Sequence, residues 1–236
     1  VTGPYLQNVG KDQITIIWET VFSTKSRVDY GITEDCSLFV EDTKEVRLHE
    51  ITLRPLRPNT LYYYKISGAF ATKTVRFAHR RLRLTGSFKT APNHNIPFKF
   101  VVYGDTQANP AIHRKIAEKI IQINPDLILH TGDIVSNGTK NYQWASLFFD
   151  PLSNVIDHIP IFTCLGNHER NAQNYFDFFS LPNNESWYSF NYSNCHFIVL
   201  DTNKDYGKNS QQYKWLKDDL LKTDTKLKLE RKPGPE

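Results

Sequence analysis

The chain has 236 residues, room for one large domain or two of ordinary size, and its 39% hydrophobic and 23% charged content is that of a folded, water-exposed protein. A formal net charge of +4 is mild, and no apolar run approaches the roughly 20 residues needed to span a bilayer, so neither a nucleic acid nor a membrane is an expected partner. Arg80, Arg81 and Arg83 lack an accompanying aromatic platform and read as a solvated hairpin or junction loop. Cys36, Cys164 and Cys195 form no regular framework; Cys164 and Cys195 sit in apolar strand-like runs and read as small buried thiols. The chain contains no methionine and starts at Val1 with no charged-then-apolar leader, which reads as a fragment or a processed product.

Taken in order, residues 1–92 read as short strands separated by turns. Ile14 to Glu19, Arg27 to Gly31 and Val46 to Leu53 are β-branched or alternating runs without helical periodicity, a pattern that suggests a β-sandwich. In Leu56 to Ile66, the residues Leu56, Pro58, Thr60, Tyr62, Tyr64 and Ile66 recur at every second position. This resembles the Leu-x-Pro-x-Thr-x-Tyr-x-Tyr signature of fibronectin type III domains. Alternation places Tyr62, Tyr64 and Ile66 on the core face, and the Tyr62 hydroxyl is expected to bond back to the backbone at the corner.

Phe88 to Asn93 runs a last strand into a linker, and from residue 97 to 236 the pattern changes to alternating strands and helices, an α/β domain. The apolar strand Phe98 to Tyr103 is followed by Asn109-Pro110, an N-cap and a first-turn proline. Ile112, Ile116, Ile120 and Ile123 then mark one helix face. Next come a strand over Asp126 to His130, a helix around Tyr142 to Phe149, a strand over Ile159 to Leu165 and a helix near Tyr175 to Phe179. A strand over Cys195 to Leu200 and an amphipathic helix over Gln211 to Leu221 follow. From Leu227 onward the sequence no longer reads as a buried strand.

Three of these strands end alike, in Gly104-Asp105-Thr106-Gln107, Gly132-Asp133 and Gly166-Asn167-His168-Glu169. Loops at the carboxyl ends of α/β strands converge on ligands, and a glycine before each polar residue permits a sharp turn or close approach to a ligand. Two aspartates, an asparagine and a histidine brought to one edge form a hard, oxygen-rich cluster suited to divalent or trivalent metals. A Gly-Asp pair alone is usually a turn; the ordered trio, each behind an apolar strand, is far more specific.

That trio resembles the calcineurin-like metallophosphoesterases. A fibronectin-like domain ahead of it (1–92, then 97–236) is similar to the purple acid phosphatases, as are Trp187 to Phe190, Phe197 to Asp201 and Gln212 to Leu216. The resemblance implies a phosphoric ester hydrolase that activates water with two metal ions, iron paired with zinc, manganese or a second iron, acting on a phosphate ester and commonly exported to a secreted or periplasmic location. It implies Asp105 as a ligand of the first metal, Asp133 as the bridge, Asn167 as a ligand of the second and His168 as the catalytic contact to phosphate. Where purple acid phosphatases place a tyrosine ligand this chain has Ser136, and where other metallophosphoesterases place a histidine it has Gln107, whose amide oxygen is a weaker donor. The family's two later histidine motifs are absent; His196 alone follows His168 and reads as structural. The metallophosphoesterase domain is therefore expected to be truncated, through early termination or a shifted reading frame, with little hydrolysis by this chain. A phosphodiesterase or nucleotidase on the same scaffold, or a non-catalytic remnant binding through its β-rich half, are the competing expectations.

Overall fold

Alternating and β-branched residues make the N-terminal strands, and the computed structural model describes residues 2–67, 85–223 and 227–231. Arg80, Arg81 and Arg83 lie outside the described residues. β1 (Tyr5–Gln7), β2 (Ile14–Gly31), β3 (Leu38–Leu53), β4 (Leu61–Ser67) and β5 (Thr85–Lys89) form one antiparallel sheet in the order β1-β2-β4-β5, with β3 also on β2. The two strands expected over Ile14 to Glu19 and Arg27 to Gly31 are thus a single strand. Its ladder to β3 is broken between Glu19 and Thr24 and again between Thr24 and Ser26. Before the break β2 pairs with β1 and the end of β3, as in Leu6 with Ile16 and Leu53 with Ile14; after it, β2 pairs with β4 and the start of β3, as in Val28 with Ile66 and Val40. Bulges of this kind bend a strand and increase its local twist.

Tyr62, Tyr64 and Ile66 are buried on one face, and the Tyr62 hydroxyl accepts the Arg57 N–H at 2.9 Å, as the alternation and the corner signature anticipate. Beside the break, His49 is wholly buried and stacked on Trp18, ring centroids 4.8 Å apart and interplanar angle 4°. Its Nε2 lies 2.8 Å from Thr20 Oγ1 and its Nδ1 2.8 Å from Ser26 Oγ. Thr20 Oγ1 donates to the Phe22 carbonyl at 2.7 Å, so it receives the Nε2 proton and Nδ1 accepts from Ser26. Burial pushes the imidazole down to about 4. A histidine held below its unfolded value of about 6.5 binds its proton more readily in the unfolded chain. Its contribution to stability is complete above that value and is lost as pH falls through about 4. Urea midpoints should therefore drop between pH 7 and pH 4, with a shallower drop in His49→Gln; an identical pH slope in the variant refutes the assignment.

The second half begins with β6 (Phe100–Tyr103), α1 (Pro110–Ile123) and β7 (Leu127–His130). Asn109 caps α1, its Oδ1 accepting from Ile112 N at 3.1 Å. The buried face of α1 is His113, Ala117 and Ile120, with Ile116 partly covered; Ile112 and Ile123, expected on that face, are 48% and 46% exposed. The rotation has a polar cause. The next helical run passes from α2 (Asn141–Gln143) through a π turn (Trp144–Phe149) into α3 (Asp150–Leu152). Pro151 has no N–H to give the Leu147 carbonyl four residues before it. His113 supplies the missing donor, its Nδ1 at 2.7 Å from Leu147 O, and its Nε2 accepts from the Tyr103 hydroxyl at 3.1 Å. Turning His113 inward leaves Ile112 outside.

β8 (Ile161–Thr163) completes a parallel sheet in the order β6-β7-β8. α4 (Gln173–Phe178), β9 (Tyr188–Tyr192), β10 (Cys195–Val199), α5 (Gln211–Lys222) and β11 (Leu227–Arg231) follow. A strand nonetheless forms in the tail: β11 lies parallel to β10, Leu227 opposite Cys195. β9 and β10 face the parallel sheet through aromatic rings. Phe162 stacks on Phe190 at 3.7 Å, Phe190 on Phe197 at 4.9 Å, and Phe100 meets Phe197 edge-on at 5.4 Å.

The buried core runs without interruption from Tyr5 to Phe197, through both halves. Polar contacts cross the same boundary. Tyr5 Oη donates to Phe178 O at 2.5 Å, Leu6 N to Ile156 O at 2.8 Å and Tyr64 Oη to Asp157 O at 2.7 Å. Gln7, wholly buried, accepts from Ser180 N at 2.6 Å.

Candidate metal centre

Register delivers the three motifs to one edge. Tyr103 is level with His130, and His130 with Thr163, so β6, β7 and β8 end together and their loops leave side by side. The loops then bond to each other: Asp105 N donates to Gly132 O at 3.1 Å and Thr106 N to Asp133 O at 3.0 Å. Asp105 and Asp133 both take left-handed backbone conformations, φ +57° and +52°, uncommon for residues with a Cβ and typical of constrained sites. The glycines allow this approach, but between loops. A Cβ on Gly104 would lie 1.8 Å from Thr131 Oγ1, and one on Gly166 would lie 2.1 Å from Asp133 Oδ1. The sharp turn expected of these glycines is seen at Gly132, at φ +94°, and at each of the three positions one loop closely approaches the next.

Glu169, quoted above only as the end of a motif, is fully buried and accepts four backbone N–H groups. Oε1 takes Ile134 N at 2.7 Å and Val135 N at 3.2 Å; Oε2 takes Asp133 N at 2.9 Å and Gly166 N at 2.7 Å. Burial raises its pKa, and the N–H groups of Gly166, Val135 and Ile134 oppose the rise. The signal in the sequence was an acid directly after Gly-Asn-His; its partners, being backbone, have no sequence signature.

His168 is half-buried, with N donating to Asp133 Oδ1 at 3.1 Å and Nδ1 3.1 Å from the Ser136 carbonyl. A carbonyl only accepts, so Nδ1 carries the proton and Nε2 is the nitrogen with a lone pair. Ser136, which stands where a tyrosine ligand was sought, spends its hydroxyl on the Gln107 carbonyl. Gln107 Oε1 is shielded from solvent and has no hydrogen-bond partner among the described residues. One end of the Asn167 carboxamide lies 3.3 Å from each Asp133 carboxylate oxygen. With nitrogen there, two hydrogen bonds close the site on itself. With oxygen there, three oxygens converge, which a cation makes favourable. The unpartnered Gln107 Oε1 and the carboxylates of Asp105 and Asp133 are oxygen donors, the type that hard metal ions take. Among the described residues no three His, Cys, Asp or Glu side chains gather in a metal-holding group. His196 stands elsewhere, on β10, between Asn191 Oδ1 at 2.7 Å and Asp219 Oδ2 at 2.6 Å, and serves to tie α5 to the sheet. Cys164 and Cys195 are buried, and Cys36 is partly exposed. No helix of the described residues is long and apolar enough to cross a membrane.

Comparison with known proteins agrees with this geometry. Residues 98–235 match the calcineurin-like phosphoesterase family. The human acid phosphatase type 7 is 30% identical over 234 residues, covering 89% of this chain and 51% of that protein. Purple acid phosphatase 15 of Arabidopsis thaliana is 27% identical over 212 residues, covering 75% of this chain and 39% of that protein. The chain spans about half the length of the first of these. The structure of a purple acid phosphatase from yellow lupin seeds superposes with a TM-score of 0.74 at 20% identity, over 94% of this chain and 48% of that one, a likeness of fold. The chain belongs to the calcineurin-like phosphoesterase family of metal-dependent hydrolases, with purple acid phosphatases among its relatives.

Proposed function

We propose that this chain carries the front half of an acid phosphatase-like, two-metal phosphomonoesterase site. The observation that carries the reading is the level ending of β6, β7 and β8, which sets Asp105, Asp133 and Asn167 on adjoining loops with His168 beside them. In this reading Asp105, Asp133 and Asn167 would hold the metal ions through oxygen, and Gln107 Oε1 would be a weaker donor. Two bound metal ions supply Lewis acidity: they make a water nucleophilic near neutral pH and neutralise phosphate oxygens. His168, its Nδ1 proton held on Ser136 O, would turn Nε2 toward the phosphate ester, beside the oxygen on which charge develops. The substrate class is a phosphate monoester by likeness to the acid phosphatases, and an exported location rests on the same likeness.

Residues 1–92 and 97–236 are proposed as the fibronectin-like and metallophosphoesterase parts. The change of β2 partners at its break supports the first, since two leaves sharing a bent strand are what a folded-over sandwich needs. A binding role for that half is favoured by Phe22, 71% exposed, and Phe39, 57% exposed beneath the Arg27 guanidinium. The continuous core argues that this half first serves as a wall of the second.

The test is Mn2+ binding followed by loss of the free-ion paramagnetic signal. The chain should bind Mn2+, and Asp133→Asn should weaken binding by more than the roughly 10- to 100-fold typical of changes behind the ligands. Iron-loaded protein should show no tyrosinate charge-transfer band, and p-nitrophenyl phosphate should turn over slowly. Mn2+ binding untouched by Asp133→Asn overturns the metal assignment, and rapid metal-dependent turnover overturns the half-site.

A further inference from the structure

We infer that Glu169 is a positioning residue: its carboxylate locks the Asp133 loop to the Gly166-Asn167 turn and so fixes where these two metal-ligating side chains meet. The inference builds on the metal reading above. Three observations support it. First, the carboxylate is fully buried and its four N–H partners come from two loops, three from Asp133 to Val135 and one from Gly166. Second, each oxygen serves two donors, so the group acts as a four-way acceptor that no neutral side chain of its shape reproduces. Third, the residues it holds are strained or crowded. Asp133 is at φ +52°, and Gly166 approaches so near that a Cβ would touch Asp133 N at 2.3 Å.

The lock extends outward through the backbone of the same segment. His168 O accepts from Gly138 N at 3.0 Å, and a Cβ on Gly138 would lie 2.1 Å from Glu169 O. The Gly138 carbonyl in turn accepts from Trp144 Nε1 at 2.8 Å and Asn174 Nδ2 at 2.9 Å. The turn bearing Asn167 and His168 is thus fastened on one side to Asp133 and on the other to two helices. The charge of Glu169 sits behind the Asp133 backbone and leaves the Asp133 carboxylate facing Asn167.

Glu169→Gln keeps the shape and exchanges one acceptor oxygen for an NH2 that faces two N–H donors. The experiment measures amide hydrogen exchange and Mn2+ binding on the full chain, wild type against Glu169→Gln, with Tyr62→Phe as a control destabilised far from the site. Exchange at Ile134 and Gly166 should quicken roughly tenfold or more in Glu169→Gln alone. Mn2+ affinity should fall by about 10- to 100-fold in Glu169→Gln and stay unchanged in Tyr62→Phe. Unchanged exchange at these amides overturns the lock. Faster exchange with wild-type Mn2+ affinity overturns the positioning role, as does an equal affinity loss in Tyr62→Phe. A wild-type chain that takes up no Mn2+ defeats the metal reading instead, and the exchange data then decide the lock alone.

Discussion

A polypeptide beginning at residue 97, without the N-terminal sheet, is expected not to fold. Tyr5 and Leu6 are wholly buried, and Tyr5 packs its ring 4.9 Å from Phe149 in the second half. Removing β1 uncovers the Phe149 ring, now buried, and every large apolar side chain returned to water costs about 1.5–3 kcal/mol. It also strips partners from the carbonyls of Ile156, Asp157 and Phe178 and from Ser180 N. A handful of such losses matches the roughly 5–15 kcal/mol by which a whole domain is stable. Residues 97–236 alone should show no cooperative urea transition, and a sharp transition with dispersed amide resonances refutes this. Within the intact chain, Gln7→Leu should cost about 1–3 kcal/mol, since it leaves the part-buried Ser180 N beside an apolar group.

Gly166→Ala should have a comparable effect from one methyl group. The added Cβ meets Asp133 backbone nitrogen at 2.3 Å and Oδ1 at 2.1 Å, distances that no side-chain rotation relieves because one partner is backbone. Either the β7 loop withdraws, breaking the Glu169 bonds, or the β8 loop does. Overpacking at a rigid site costs at least about 1–3 kcal/mol, and lost hydrogen bonds add to it. Mn2+ binding should vanish with it. The comparison is Gly207→Ala, whose Cβ comes no nearer than 3.2 Å to a side-chain oxygen and which should stay within about 0.5 kcal/mol of wild type. Equal urea midpoints for the two variants contradict the packing argument.

Strand ends and ligand candidates were legible because their signals are local: an apolar run, then Gly and an acid. The corner signature gave Tyr62 its bond to Arg57 N, and Asn109-Pro110 gave α1 its start. What escaped is carried by partners distant in sequence. Pro151 has no N–H for the Leu147 carbonyl, His113 bonds to it instead, and that bond, rather than the isoleucine spacing, accompanies the turn of α1. The single strand β2 escaped because Thr20 to Lys25 has no pattern of its own, and there only Thr24 pairs with β3, opposite Val46. Glu169 looked like the tail of a motif, although its four partners are main-chain atoms on another loop and on its own turn.

The level ending of the parallel strands has one more consequence. Asp105 follows Tyr103 by two residues, Asp133 follows His130 by three and Asn167 follows Thr163 by four, although the three strand ends are aligned. The loops therefore form a staircase, and reach is encoded by chain length as firmly as chemistry is by residue type. Lengthening the surface turn between α1 and β7 leaves each of these counts unchanged. Adding or deleting one residue between a strand end and its ligand leaves every motif letter in place and puts the donor on the wrong step.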